Sequence, residues 1–164
     1  IAERIRYDHH AEKSAEIAGK ILRRLKFSTK DIEIIQWLVK HHMSVYNVLT
    51  MEVGRRRHWF LLPWFLDLLE VNRCDVAGTI PADFKTHDEV LELYRADIKE
   101  LPKEPVRLLT GEEIMEILGL KPGKKIAEIL EKLRFLQLEK KLKTKAAAVK
   151  WLHENFMPFE AIPS

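Results

Sequence analysis

The stretch LLTGEEIMEILGLKPGKKIAEILEKLRFLQLEKKLKT, residues 108–144, decides the fold. Thr110 is followed three residues later by Glu113, the spacing at which two side chains can satisfy each other's orphan N–H groups at a helix start. Gly119 ends that short helix, because only glycine enters the left-handed turn without strain. Pro122 is expected as the first residue of the next helix, where its missing N–H costs nothing. Ile126, Ile129, Leu130, Leu133 and Leu136 then recur at three and four residues and give that helix one apolar face. Thr144 can cap a last helix carrying Val149, Trp151, Leu152 and Phe156.

The same grammar holds upstream. Ala15, Ala18, Ile21, Leu22 and Leu25 predict an apolar stripe on a helix from about residue 10 to 25. Ser28-Thr29-Lys30-Asp31 reads as a capping box, and Ile32, Ile35, Leu38, Val39 and His42 follow on one side of a second helix. Residues 45–53 read as irregular or short-helical. Gly54 and Pro63 bracket a basic-aromatic segment, Arg55-Arg56-Arg57-His58-Trp59-Phe60, and an apolar helix runs from Pro63 to about Ala77. Thr86-His87-Asp88-Glu89 reads as another capping box, opening a helix through Leu101. No run of alternating β-branched residues is long enough for a sheet, so the fold class is all-α. Pro102 and Pro105 mark the expected boundary between a helical body, 1–101, and a small helical tail, 106–164. The chain shows no internal repeat.

Composition narrows the function classes. The 164 residues are 46% hydrophobic, enough for one core or a core with a small satellite. The single cysteine, Cys74, excludes an intrachain disulfide and a thiolate zinc site, and points to a reducing, cytoplasmic setting. The longest apolar run, residues 59–66, is interrupted by Pro63 and too short to span a bilayer. A chain opening on Ile1 rather than methionine is expected to be part of something longer. Lys+Arg number 28 against 25 Asp+Glu, a charge-rich balance of thermophilic character. The net charge of +3 says less than its distribution. Residues 119–145 hold nine Lys/Arg and three Glu, a net of +6, whereas residues 86–104 hold six acids and three bases, a net of −3.

The basic excess centres on Gly119-Leu120-Lys121-Pro122-Gly123-Lys124-Lys125, where one helix ends and another begins. The first N–H groups of a helix lack intrahelical partners, and the macrodipole adds partial positive charge there. With Lys121, Lys124 and Lys125 beside Gly123, the turn reads as a phosphate cradle; a solvated lysine face is an equally good reading of the spacing. Arg55, Arg56 and Arg57 are a second candidate for phosphate contact, with the arginines outward and the aromatics of that segment inward as core. Lys143 completes the RNA-binding candidates. His9, His10, His41, His42 and Asp75 are the residue types of a metal site, but His42 lies on an apolar face, where a core histidine is the commoner outcome. Asp8-His9-His10 and His87-Asp88 match strings used by metal phosphoesterases without the strands or order those enzymes need. No Ser/His/Asp set, glycine-rich nucleotide loop or pair of catalytic carboxylates can be assembled, so the expected catalytic and metal sets are empty.

Two stretches resemble the bacterial tRNA nucleotidyltransferase and poly(A) polymerase family. One runs through Tyr7-Asp8-His9-His10-Ala11-Glu12-Lys13-Ser14-Ala15 and Trp37-Leu38-Val39-Lys40-His41-His42-Met43, continued by Arg55-Arg56-Arg57 and Arg73-Cys74-Asp75. The sharper is residues 108–144, with the family's threonine-glycine cap, Gly-Leu-Lys-Pro-Gly turn and Gln-Leu-Glu ending. Lys140-Lys141 depart from the pattern, standing where family members often have a turn with glycine.

The resemblance implies the body and tail that grip the acceptor–T arm and elbow of tRNA, in a protein adding all or part of the terminal CCA. It implies a separate N-terminal catalytic head that uses Mg2+ with CTP or ATP through an Asp-x-Asp pair. This sequence has no Asp-x-Asp, so the chain alone is expected to need no cofactor and to be inactive. The body also resembles the later part of an HD-type metal domain, with His10, His42 and Asp75 at ligand-like positions but no opening histidine or His-Asp pair. An HD-type phosphohydrolase fragment is the alternative function; a helical interaction module without an RNA role is the blander one.

Overall fold

A computed structural model describes residues 10–102 and 106–156. Every described element is helical: α1 (His10–Arg24), α2 (Thr29–His41), a 3₁₀ segment (His42–Thr50), α3 (Val53–Phe60), α4 (Phe65–Ala77), α5 (Lys85–Ile98), α6 (Gly111–Leu118), α7 (Lys124–Leu138) and α8 (Lys145–Phe156). No strand occurs among the described residues, so the all-α expectation holds. The chain divides into two compact units. One comprises residues 10–51 and 62–96; the other comprises 52–61, 97–102 and 106–156. The expected break at Pro102 and Pro105 falls partly on residues 103–105, outside the described residues.

In the first unit α1 packs on α2. Its buried residues are Ala11, Ala15 and Gly19, spaced four apart. This corrects the expected stripe: Ile21 and Leu25 of that stripe, and Ile17 beside it, are exposed. The reason is local. The Gln36 side chain of α2 lies across α1 and donates from Nε2 to the Ala15 carbonyl at 2.9 Å, so only small residues fit beneath it. Ser28 caps α2 as expected, its Oγ accepting from the Asp31 N–H at 3.1 Å. In the 3₁₀ segment His42, Val45 and Val48 are all buried, since a three-residue turn brings every third side chain to one side. Phe65, Leu68, Leu69 and Val76 of α4 and Val90 of α5 complete this core. The ring of Phe65 stacks on Tyr94 at 5.3 Å between centroids. The α5 start is also corrected. The helix opens at Lys85, whose N–H donates to the Asp83 carboxylate at 3.0 Å, so Thr86 lies inside it rather than capping it.

In the second unit Leu109, Ile114, Ile126, Ile129, Leu133, Leu142, Ala148 and Leu152 form one buried cluster drawn from α6, α7, α8 and their connections. Each fully buried Leu or Ile contributes roughly 1.5–3 kcal/mol, so this cluster dominates the unit's stability. The Thr110 capping box is complete. Its Oγ1 accepts from the Glu113 N–H at 3.2 Å, and the Glu113 carboxylate accepts from the Thr110 N–H at 2.8 Å. Glu113 also pairs with Lys145 at the start of α8. Thr144 caps α8 by accepting from the Ala147 N–H at 3.2 Å.

Candidate nucleic-acid interface

Gly119 closes α6 in the left-handed conformation, φ 63°, as the sequence implied. The next helix starts later than expected. Lys124 is its first residue and Gly123 its cap, so Pro122 stands before the helix rather than in its first turn. Gly123 is extended, with φ 167°, and caps without a side chain. A Cβ built there meets no atom within 4 Å, so the space before the first turn of α7 is open. Lys121, Lys124 and Lys125 around this opening are exposed, as is Lys143. Lys124 is 92% exposed; among the described residues the acid it pairs with is Glu128, 3.6 Å away and one turn on. A pair of this kind is worth little in water and leaves the ammonium available to other anions.

The α3 arginines are divided. Arg55 is exposed, its guanidinium carbon 5.8 Å from the centroid of the Phe135 ring. Arg56 and Arg57 turn inward, against the expectation that all three point out. They share Asp97, at 3.2 and 2.8 Å, and their side chains keep only 15% and 13% of their exposure. Arg57 also donates to the Leu138 carbonyl at 3.0 Å. Burial pushes the Asp97 carboxyl up, but hydrogen bonds from Arg57 and Arg56 outweigh it and leave Asp97 below the usual carboxylate range. The Asp97 hydrogen bond in turn raises Arg57. Two forked cations around one carboxylate balance its charge away from water, which a lone buried charge could not do, although the buried Arg56 Nε has no hydrogen-bond partner.

A cleft of about 560 Å³ runs along α7 in the same unit. Its polar lining includes His58, Arg107, Lys124, Glu128, Glu131, Arg134 and Gln137, over an apolar wall that includes Leu130, Leu133 and Phe135. Burial lowers the Arg134 pKa, and nearby Arg107, itself exposed, lowers it further. Burial likewise lowers His58, with Arg134 adding to the effect and Glu131 opposing it. The His58 Nδ1 is buried with no hydrogen-bond partner. Sequence reasoning missed Arg107, Arg134 and His58 as a group. Arg134 entered only as one unit of the net charge, and His58 only as part of the basic-aromatic segment. Their meeting depends on how α3 packs against α7, which no local spacing encodes.

The histidines of the first unit are otherwise employed. His42 is buried and its Nδ1–H donates to the Val39 carbonyl at 2.7 Å, the core role its apolar face suggested. His10 meets it edge-on at 5.6 Å between centroids. His41 Nδ1 donates to the Trp37 carbonyl at 2.8 Å. Asp75 is exposed, and His9 lies outside the described residues. Among the described residues no three or more His, Cys, Asp or Glu side chains gather in a metal-holding group. With no Asp-x-Asp in the sequence either, these residues do not fit a two-metal transfer site.

Known proteins resemble the chain in sequence. It is 34% identical to the CC-adding tRNA nucleotidyltransferase of Thermus thermophilus over 151 residues, which are 88% of this chain and 33% of the relative. It is 34% identical to the A-adding tRNA nucleotidyltransferase of Deinococcus radiodurans over 130 residues, 76% of this chain and 30% of the relative. A third relative, the CC-adding tRNA nucleotidyltransferase of Geobacter sulfurreducens, is 39% identical over 75 residues, 46% of this chain and 16% of the relative. No family model and no solved structure matches. The chain spans about a third of the length of the first two relatives. On this likeness the chain is a tRNA nucleotidyltransferase-related protein.

Proposed function

We propose that this chain is the tRNA-binding C-terminal portion of a cytoplasmic tRNA nucleotidyltransferase. Its body, 1–101, and tail, 106–164, hold the acceptor–T arm and elbow, while an N-terminal catalytic head of the same protein adds nucleotides to the 3′ end. Mg2+ and CTP or ATP belong to that head. The observation that carries the reading is the open, side-chain-free N-terminus of α7, ringed by exposed Lys121, Lys124 and Lys125. The first N–H groups of the helix, the positive end of its dipole and three exposed lysines adjacent in sequence suit a phosphate. Lys143 and Arg55 are further exposed cations of the same unit; Arg56 and Arg57 serve the site by holding α3 in place.

Binding of this kind reads backbone and shape rather than bases. Affinity for tRNA should fall steeply with salt, each phosphate contact contributing roughly 0.7–0.9 to the log–log slope. Replacing Lys124 and Lys125 with alanine should weaken several different tRNAs alike and flatten the slope. Circular dichroism should stay unchanged, since alanine suits a helix and both side chains are in solvent. The measurement is a salt series of tRNA binding for wild type and double variant. Unchanged affinity with an unchanged slope would reduce the turn to a connector.

A further inference from the structure

We propose that the exposed face of α1 is an interface between copies of this chain, seated on the acidic face of α4 and α5 of a second copy. This goes beyond the RNA-binding reading and does not depend on it.

The buried side of α1 is formed by Ala11, Ala15 and Gly19, where it packs on α2. Ile17 and Ile21, one turn apart, lie on another side and are 54% and 42% exposed. Leu25 and Phe27, in the turn that follows, are 59% and 47% exposed. One exposed leucine is ordinary, but four large apolar side chains within residues 17–27 make a surface that gains by being covered. Lys20 and Arg24 stand three residues after Ile17 and Ile21, so they border the apolar pair. Residues 17–30 hold five Lys/Arg and no Asp or Glu, a net of +5. All five cations are exposed, and none pairs with an acid among the described residues. The matching partner is therefore both apolar and acidic. A phosphate backbone answers the charge but offers Ile17 and Ile21 no aliphatic surface.

The same unit carries such a surface. Residues 66–92 hold seven acids and two bases, a net of −5, and all seven acids are exposed. On α4, Leu66 is 51% exposed, with Asp67 beside it and Glu70 one turn on. Arg73 donates to Glu70 at 2.6 Å and holds its carboxyl below the usual range, and the charge of His87 acts in the same direction. His87 Nδ1 is in turn 3.0 Å from Asp88 Oδ1. Acids of α4 and of α5 thus meet around one histidine, and Ile80 in the connection between the helices is fully exposed.

The basic and acidic faces belong to different helices of one unit, since α1 rests on α2, α2 on α4, and α4 on α5 through Phe65 and Tyr94. Two α1 faces would set cations against cations, so like faces do not pair. A basic face on an acidic one aligns opposite potentials and takes apolar area from both copies out of water. Because the faces differ, copies join head to tail, and the assembly grows unless its rotation closes a ring.

Sedimentation velocity of the full chain across a range of concentrations tests this. The average mass should rise with concentration at low salt and return toward the monomer at high salt. Ile17→Ser with Ile21→Ser should weaken association about tenfold or more through lost apolar burial; the two residue types have similar helix preferences, so α1 should persist. Changing Lys20, Arg24 and Lys26 to Glu reverses the sign of the basic face, and changing Asp67, Glu89 and Glu92 to Lys reverses that of the acidic face. Each reversed protein alone should stay monomeric, whereas an equimolar mixture of the two should associate again, a rescue that misfolded variants would not give.

A monomer at every concentration would overturn the inference, as would association indifferent to the reversals or a mixture that stays monomeric. Vesicles of anionic phospholipid and tRNA are the rival occupants. A wild type that stays monomeric but binds one of them, with binding lost on Ile17→Ser and Ile21→Ser, would assign the face to that partner instead.

Discussion

Two helix pairs in this molecule cross at a buried glycine, and they are closed in different ways. Where α1 meets α2, a Cβ built on Gly19 would stand 2.3 Å from Nε2 of Gln36, the end of a flexible side chain. Where α3 meets α7, a Cβ on Gly54 would stand 2.4 Å from the backbone oxygen of Phe135. A side chain can swing away; a helix backbone cannot without moving the helix. The second pair is also tied by polar bonds of long sequence range. The Gly54 N–H donates to Glu139 Oε1 at 3.1 Å, and Arg57 reaches both Asp97 and the Leu138 carbonyl. The lesson is that the first pair is a packing solution with slack, whereas the second fixes the helix that carries the proposed RNA contacts. Rigid support is what a binding site needs from the elements behind it.

Breaking the polar tie should have the largest effect. Asp97→Ala leaves two largely buried guanidinium groups without their carboxylate, and removing one partner of such a pair costs about 3 kcal/mol or more. Urea unfolding should show this as a lowered midpoint. The pH dependence has a definite sign. Because the folded pKa of Asp97 lies below its ordinary 3.8, the unfolded chain takes up the proton first as pH falls. The stabilisation is complete above 3.8 and is lost as pH drops through the folded value. The Asp97→Ala protein should lack that part of the acid destabilisation, so its stability gap from wild type should narrow in acid. A gap independent of pH would show that packing, not charge, accounts for the loss.

Next in size is Gly54→Ala. The added methyl group meets backbone atoms of α7, so α3 must back away and the Glu139 bond must lengthen; overpacking of this kind costs roughly 1–3 kcal/mol. Because α7 also carries the open turn, tRNA affinity should fall with stability. Stability within a few tenths of wild type would mean the crossing has more slack than its geometry implies.

The parts of this design differ in how far they can be read from sequence. Thr110 and Glu113 lie three residues apart and form the capping box that spacing alone announces. Gly119 takes the positive φ that its place after a helix demands. Lys140 has φ 62° where the family resemblance led one to expect a glycine turn, so the backbone keeps the turn and lysine bears the strain. Distance in sequence is what hides the rest. Asp97 lies about forty residues from the arginines it binds, and in a charge-rich chain nothing marks which acid they choose. Gly54 reads as punctuation between segments, yet it sits inside α3 as the point where another helix backbone touches. The α1 stripe misleads for a related reason. Hydrophobic size predicts burial for Ile21 and Leu25, but Gln36 of α2 admits only the small face, and close approach outweighs the area that larger side chains would bury.

Gly19→Ala should have the smallest effect, and its sign sharpens the contrast. Alanine inside a helix is favoured over glycine by about 1 kcal/mol, chiefly because the unfolded chain has less freedom to lose. Against that, the new methyl group occupies the place of the Gln36 carboxamide, which must rotate out and give up its bond to the Ala15 carbonyl. One neutral hydrogen bond is worth about 1 kcal/mol net, so the two changes nearly cancel. The expected shift in stability is therefore within about 1 kcal/mol of zero, well short of the Gly54→Ala cost. Pairing the change with Gln36→Ala separates the two contributions. Without the carboxamide to displace and with its bond already gone, Gly19→Ala should stabilise by the full helix preference, about 1 kcal/mol. If Gly19→Ala cost as much as Gly54→Ala, and Gln36→Ala failed to rescue it, the α1 crossing would be as unyielding as that of α3 on α7. The distinction between a side-chain contact and a backbone contact would then carry no weight here.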